Sequence, residues 1–149
     1  MQVSDIMHAD VVTVSANDTF AQAASVLKAK RISSVVVMKG DRPTGIVTER
    51  DVVNLVADGA DPSSVRVGDR MATDLAVAEP RQDVADAARL MAARRIRHLP
   101  VTDHGRLVGI ISIRDLTSWA VQELTGGHEL PDIERSSATL NAAVQTEPH

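Results

Sequence analysis

Two short segments of the sequence place a carboxylate three residues after a hydroxyl group. They are Thr48-Glu49-Arg50-Asp51 and Ser112-Ile113-Arg114-Asp115. An ionised carboxylate only accepts hydrogen bonds, so paired hydroxyl groups are natural partners for it. The adjacent arginine brings a fork of donors suited to phosphate, and a helix that starts at such a segment offers free N–H groups to an anion. The two segments therefore predict two sites for a hydroxylated, anionic ligand.

A structural interpretation of the same residues stays open. Asp51 and Asp115 are also acids of a predicted first helical turn, where the helix dipole favours negative charge. Catalysis and metal binding are not expected. The five histidines are scattered along the chain, cysteine is absent, and the sequence contains no nucleophile–base pair, no Gly-rich phosphate loop and no general acid–base couple.

The two segments belong to an internal repeat with an offset of 64 residues. Between residues 3 and 52, 16 of 50 positions carry the same residue 64 positions later, and no gap is needed. Chance would match about one position in fifteen. The two halves are therefore copies, and one interpretation must explain both.

Each copy predicts a strand, a helix, two strands and a second helix. The first strand is indicated by a short apolar stretch, at residues 11–14 and 75–77, and the first helix by apolar residues at i, i+3, i+4 and i+7 from Phe20 and from Val84. Asn17 or Asp18, and Gln82 or Asp83, are the expected helix caps. β-branched runs separated by turn residues predict a hairpin in each copy. The last helices are expected at about 50–57 and 114–124.

The predicted boundaries are residues 1–60 for the first repeat, 61–66 for a linker, 67–125 for the second repeat and 126–149 for a disordered tail. A net charge of -4 and two aromatic residues, Phe20 and Trp119, argue against nucleic-acid binding. The start of the chain does not resemble a signal peptide, no stretch is long enough to cross a membrane, and cysteine is absent. We therefore expect a cytoplasmic protein.

The segment Gly45-Ile46-Val47-Thr48 followed by Glu49-Arg50-Asp51 resembles the CBS (cystathionine-β-synthase-type) domain family, and residues 109–115 repeat it. The segments Asp5-Ile6-Met7 and Asp69-Arg70-Met71, and the segment Arg97-His98-Leu99-Pro100-Val101, are also similar to patterns of that family. Together these motifs span residues 3 to 124. The chain thus resembles a stand-alone, bacterial-type tandem CBS domain pair, which is a regulatory module.

The resemblance implies an α/β (α+β) fold of two β-α-β-β-α repeats. They would pack sheet against sheet about a pseudo-twofold axis and leave two symmetry-related clefts. Family members commonly bind adenosine-containing ligands in such clefts. The resemblance assigns ribose hydroxyls to Asp51 and Asp115, and it places Thr48 and Ser112 near the ribose and phosphates.

The remaining candidate ligand-binding residues follow from that assignment. Arg50 and Arg114 would neutralise phosphate, and an aliphatic slot for the purine would be formed by Val12, Thr13, Ile46, Val77 and Ile110. The second repeat has Arg97-His98-Leu99-Pro100 where the first has Ser33-Ser34-Val35-Val36. Because that segment contributes phosphate contacts in the family, Arg97, His98 and Pro100 complete the candidate set. The cleft that Arg97 and His98 approach is expected to prefer more highly phosphorylated ligands.

The expected function is regulation of an unidentified partner protein by AMP, ADP or ATP, without catalysis and without an obligatory cofactor. The family resemblance also implies a homodimer that buries the apolar faces of residues 52–57 and 116–121. Two alternatives stay open. One is a ligand-independent dimerisation or scaffold module, and the other is binding of a different adenosine ligand such as S-adenosylmethionine or NAD.

Overall fold

The computed structural model describes residues 1–71 and 74–126 of the 149-residue chain. Residues Met1–Leu116 form one compact unit, and a second unit begins at Thr117. Apart from Gly126, the tail predicted to be disordered lies outside the described residues. The elements are α1 (Val3–Ile6), β1 (Thr13–Ser15), α2 (Phe20–Lys30), β2 (Ser34–Lys39), β3 (Arg42–Thr48), α3 (Glu49–Ala57), α4 (Val67–Arg70), α5 (Val84–Arg94), β4 (His98–Asp103), β5 (Arg106–Ser112) and α6 (Ile113–Thr125).

The first repeat contains a three-stranded sheet in the order β1-β2-β3. β1 runs parallel to β2, and β2 forms an antiparallel hairpin with β3. In the second repeat β4 and β5 form the equivalent antiparallel hairpin. The turn between β4 and β5 contains His104 and Gly105 with φ of 50° and 81°, the left-handed geometry that favours tight hairpin connections. The two predicted hairpins are therefore confirmed.

The strand predicted at residues 75–77 is wrong. In its place a single parallel bridge joins Ala78 to Val101, at the position where the first repeat pairs Val14 with Val37. Its two hydrogen bonds run from Ala78 N to Pro100 O and from Thr102 N to Ala78 O, each 2.9 Å long. The first repeat has Thr-Val-Ser here and the second has Val-Ala-Glu, and alanine and glutamate are both less suited to strands. Only one bridge of the expected pairing is thus retained.

The predicted caps are confirmed in one repeat and wrong in the other. Asp83 caps α5, and its side chain accepts a hydrogen bond from Ala85 N at 2.8 Å. The cap of α2 is Thr19, not Asn17 or Asp18, and Thr19 forms a reciprocal capping box with Gln22. A capping box satisfies two backbone N–H groups rather than one, which explains why α2 begins at Phe20.

Each repeat makes the same backbone contacts to the other repeat. Gln2 forms an antiparallel bridge with Asp83, and Arg66 forms one with Thr19. Adding 64 to the first residue of one pair and subtracting 64 from the second gives the other pair. The same exchange relates two 2.8 Å hydrogen bonds, from Val3 N to Gln82 O and from Val67 N to Asp18 O. Reciprocal contacts of this kind define a pseudo-twofold relation between the repeats.

The core is aliphatic apart from Phe20. One cluster of buried residues lies in the first repeat and also includes Val67 of α4. Val67 and its counterpart Val3 in α1 have no exposed surface. The short helices α1 and α4, which the sequence analysis did not predict, thus each contribute a fully buried valine.

No helix within residues 1–71 and 74–126 is long and apolar enough to cross a membrane.

Candidate ligand-binding clefts

The first cleft, of about 570 Å³, brings together segments of both repeats. The first repeat contributes the end of β3 and the start of α3, with Ile46, Thr48, Arg50 and Asp51. The second repeat contributes residues 95–98, which connect α5 to β4. Arg70 and Met71 complete this wall. The predicted carboxylate of the first repeat therefore faces a segment of the other repeat.

The second cleft, of about 820 Å³, has the reciprocal composition. The end of β5 and the start of α6 contribute Ile110, Ser112, Arg114 and Asp115, while the first repeat contributes residues 8–12 and 31–34. A pair of clefts lined in this reciprocal way is what a pseudo-twofold relation between repeats produces.

Each carboxylate lies in the first turn of its helix, α3 or α6, and hydrogen-bonds back to the residue that precedes the helix. Asp51 Oδ2 accepts hydrogen bonds from Thr48 N at 2.8 Å and Thr48 Oγ1 at 3.1 Å. Asp115 Oδ2 accepts from Ser112 N at 2.7 Å and Ser112 Oγ at 2.9 Å. The structural interpretation of these acids therefore holds for one oxygen of each. It does not account for Oδ1, and both side chains line the clefts rather than facing bulk solvent.

The two Oδ1 atoms differ in their surroundings. Asp115 Oδ1 lies 2.8 Å from His8 Nε2. Within residues 1–71 and 74–126, no hydrogen bond to Asp51 Oδ1 is found. A carboxylate can accept about four hydrogen bonds, so Asp51 has two positions left and Asp115 has one. The first cleft is therefore the better prepared for a pair of hydroxyl groups.

The helix N-termini offer an anion fewer N–H groups than the sequence analysis expected. Thr48 N is used by Asp51, Asp51 N donates to Thr48 Oγ1, and Glu49 N donates to Ser33 O at 3.1 Å. The second repeat repeats this pattern, with Ile113 N donating to Arg97 O at 2.8 Å. In the described part of the chain, the N–H groups of Arg50 and Arg114 are the ones left at these first turns. Arginine side chains must therefore supply most contacts to an anion.

The five residues nominated for a purine slot do not all meet. Ile46 lines the first cleft, and Val12 and Ile110 line the second. Thr13 lies exposed in β1, and Val77 is 37% exposed. Pro100 is buried in β4, where it pairs with Ile110 in the register of the hairpin. Thr13, Val77 and Pro100 line neither cleft.

Arg97 and His98 line both clefts, so they do not distinguish one from the other. His98 Nε2 lies 3.1 Å from Ser33 Oγ. Ser33 belongs to the segment of the first repeat that corresponds to Arg97-His98-Leu99-Pro100. Burial lowers the pKa of the His98 imidazole, and Arg97 lowers it further, against the opposing charge of Asp115. His98 is therefore uncharged near neutral pH and is a hydrogen-bonding group rather than a cation between the clefts.

Two arginines that the sequence analysis did not include among the candidate residues line the clefts. Arg31 ends α2 and lines the second cleft, and Arg95 ends α5 and lines the first. Their φ angles are 54° and 55°, in the left-handed region that usually carries glycine at helix ends. The two arginines thus end equivalent helices in the same conformation, and each contributes to the lining of one cleft. The signal available in the sequence was that both repeats carry arginine at this position.

Charge distinguishes the clefts more clearly than Arg97 and His98 do. Four arginines and two acids line the first cleft: Arg50, Arg70, Arg95 and Arg97 with Glu49 and Asp51. Three arginines and three acids line the second: Arg31, Arg97 and Arg114 with Asp10, Glu49 and Asp115. Because Arg70 is paired with Asp58 at 3.2 Å, three other arginines face two acids in the first cleft, against three and three in the second, so the first cleft offers an anion the more favourable field. Within residues 1–71 and 74–126, no group of three histidines or acids is placed to hold a metal ion.

The fold and the paired clefts define a class of protein, the tandem CBS domain pair, and comparison with known families agrees. The family model for the CBS domain matches residues 3–58 and again residues 67–121. The chain belongs to the CBS domain family.

Known relatives share both the length and the fold. The CBS domain-containing protein YhcV of Bacillus subtilis is 33% identical over 136 residues, which cover 91% of this chain and 96% of YhcV. The CBS-domain containing protein ATU1752 of Agrobacterium tumefaciens superposes with a TM-score of 0.74 at 33% identity, over 80% of this chain and 99% of that structure. The CBS domain protein PAE2072 of Pyrobaculum aerophilum, solved in complex with AMP, gives 0.71 at 28% identity, over 77% and 89%.

Proposed function

We propose that the chain is a regulatory module that binds an adenine nucleotide and controls a partner protein through the resulting conformational change. One observation carries the proposal: each cleft joins the Thr/Ser-x-x-Asp carboxylate of one repeat to the arginine-containing segment of the other. A ligand in either cleft contacts both repeats, so its binding energy depends on their relative position. Such a ligand shifts the population of any two arrangements that it binds unequally.

Each part of an adenine nucleotide has a partner in the first cleft. The ribose diol donates to Asp51 Oδ1, and Ile46 provides an apolar surface for the purine. Arg50 and Arg95 face the phosphates, with Arg97 between the two clefts. The excess of arginines favours ADP or ATP over AMP in this cleft, whereas the balanced second cleft favours ligands with less charge. The complex of PAE2072 with AMP supports an adenosine ligand of this kind.

We further propose that the module is cytoplasmic, needs no obligatory cofactor and performs no chemistry of its own. The carboxylates and hydroxyl groups at the clefts hydrogen-bond to each other in the first turns of α3 and α6, which gives them a structural role. The proposed boundaries are residues 1–60 and 67–125 for the repeats, with a linker at 61–66. Asp61 supports the linker assignment because its side chain and carbonyl accept hydrogen bonds from Ser63 and Ser64 and close a turn.

The module is also proposed to be a homodimer. Val53 and Val56 on α3 are 64% and 58% exposed, and they lie on the face of residues 52–57 for which the sequence analysis predicted burial between subunits. Two exposed valines one turn apart are a surface that a second copy would cover. Sedimentation velocity tests the proposal, and a purely monomeric chain would overturn it.

Calorimetric titration with AMP and ATP tests nucleotide binding. The variants Asp51→Ala and Asp115→Ala should each abolish one binding event, weakening it about a hundredfold or more, because the diol loses its charged acceptor. Asp51→Asn and Asp115→Asn are the matched controls: asparagine keeps one oxygen that can accept from Thr48 N or Ser112 N but replaces the other carboxylate oxygen with a donor. Loss of binding in the asparagine variants at unchanged melting temperature assigns the effect to the ligand.

The alternatives give different results. A scaffold module binds none of the adenosine ligands and dimerises equally well without them. A module for S-adenosylmethionine or NAD binds that ligand in preference to AMP and ATP, and still depends on Asp51 or Asp115. Wild-type affinity in both alanine variants would exclude the clefts as described.

A further inference from the structure

His8 lies where a ligand of the second cleft would need to bind. Its Nε2 atom is 2.8 Å from Asp115 Oδ1, the oxygen that the helix cap leaves free. Since ionised Asp115 can only accept, the imidazole must donate from Nε2. With Ser112 N, Ser112 Oγ and His8 all bonded to it, Asp115 retains about one position for a hydrogen bond, whereas a diol requires two.

The backbone holds His8 in place while its ring stays free to move. His8 N donates to Ile110 O and Ile110 N donates to His8 O, both at 2.9 Å. The His8 side chain is 67% exposed, whereas that of Asp115 is 14% exposed. The ring can therefore rotate into solvent without disturbing any packed group, and the buried carboxylate remains where it is.

The first cleft has no equivalent of this contact in the sequence. The residue 64 positions after His8 is Ala72, which has no side-chain donor. Ala72 itself lies outside the described residues. Asp51 Oδ1 has no partner among the described residues, in contrast to Asp115 Oδ1. The contact at Asp115 Oδ1 thus depends on a residue, His8, that differs between the repeats.

We propose that His8 is a specificity-determining residue of the second cleft that competes with the ligand's hydroxyl pair for Asp115. The inference rests on the proposed binding of an adenine nucleotide. A ligand enters the first cleft directly, but it enters the second only by displacing the imidazole. The two clefts therefore fill in order as ligand concentration rises, and a ligand without a sugar diol gains nothing from displacing His8.

Calorimetry with AMP in single-cleft backgrounds tests this competition. In the Asp51→Asn background, which leaves only the second cleft, His8→Ala should tighten AMP binding about tenfold, because one hydrogen bond to a charged group no longer has to be broken. In the Asp115→Asn background, which leaves only the first cleft, the same substitution should change the affinity by less than about twofold. His104→Ala is the matched control, since His104 is 94% exposed in the β4–β5 turn and pairs with its neighbour Asp103.

The direction in which His8→Ala changes the AMP affinity decides whether His8 competes with the ligand. Weaker binding in the Asp51→Asn background would mean that His8 contacts the ligand, and unchanged binding would mean that it does not compete; either result overturns this inference alone. Absence of AMP binding in the wild-type chain would instead overturn the proposed function, and this inference with it.

Discussion

In the first cleft the ribose-binding candidate Asp51 shares the lining with four arginines, and its Oδ1 has no hydrogen-bond partner among the described residues. In the second cleft Asp115 shares its surroundings with an equal number of arginines and acids, and its second oxygen is held by His8. The backbone contacts that build the clefts are nevertheless reciprocal. Duplication thus maintained the framework of both clefts, whereas a few side-chain differences altered the chemistry that each cleft offers.

The packing around two equivalent glycines that adjoin the clefts differs as well. Gly45 and Gly109 occupy equivalent places in β3 and β5, and a methionine packs against each, Met71 or Met7. A Cβ added at Gly109 would also meet the backbone oxygen of His8 at 3.0 Å. At Gly45 the nearest atoms among the described residues all belong to the side chain of Met71, and the counterpart of His8, residue 72, lies outside those residues. The packing around Gly109, next to Ile110 and His8 of the second cleft, is therefore the less adaptable of the two.

Substitution of these glycines gives the largest expected difference. Gly109→Ala should lower the free energy of unfolding by about 1 to 3 kcal/mol, since both Met7 Sδ, at 2.6 Å, and a hydrogen-bonded backbone segment must move. Gly45→Ala should cost less, because the Met71 side chain can rearrange. Urea unfolding of both variants measures the difference. Equal losses, or a larger loss for Gly45→Ala, would contradict the comparison.

Arginine substitution tests the difference in charge. Arg95→Gln, measured in the Asp115→Asn background, should weaken ATP binding to the first cleft about tenfold and AMP binding less, because a charge-assisted hydrogen bond to phosphate is lost. Arg31→Gln in the Asp51→Asn background should weaken the binding of ATP and of AMP to the second cleft by more similar factors. Arg89→Gln is the control: Arg89 pairs with Asp86 on α5 and lines neither cleft. If Arg31→Gln and Arg95→Gln changed the preference for ATP over AMP by the same factor, the proposed difference in charge between the two clefts would be wrong.

The repeat explains why much of the fold was predictable from the sequence. Apolar periodicity placed α2 and α5, and β-branched runs placed both hairpins, because each pattern follows from which face is buried. The missing strand in the second repeat shows the limit of this reasoning. Leu75 and Val77 are apolar, but pairing of a short edge strand depends on its neighbours as much as on its composition.

At the clefts, the sequence predicted several lining residues correctly, but it did not predict which cleft each residue lines. The Thr/Ser-x-x-Asp segments were predicted because their chemistry is local. Arg31, Arg95 and His8 were not included, because their positions depend on a left-handed helix end and on a bridge to Ile110 from a distant part of the chain. Arg97 and His98 were assigned to one cleft, but they lie between two because the repeats meet there.

His98 gives the smallest expected effect, and it bears on the region that the clefts share. Burial lowers the pKa of His98 below its usual 6.5 despite the charge of Asp115, and Arg97 lowers it further. The unfolded chain therefore binds the proton more readily than the folded chain, so the stability that neutral His98 contributes is complete above pH 6.5 and declines as pH falls below it. His98→Gln should remove this dependence.

Urea unfolding of wild type and His98→Gln between pH 7.5 and 5 measures the change, with His104→Gln as an exposed control. The advantage of the wild type over His98→Gln should shrink as the solution becomes more acidic, whereas His104→Gln retains His98 and should still lose stability on acidification. An advantage that grows on acidification would mean that His98 is protonated between the clefts. In that case its charge would have to be added to the phosphate-binding groups of both clefts.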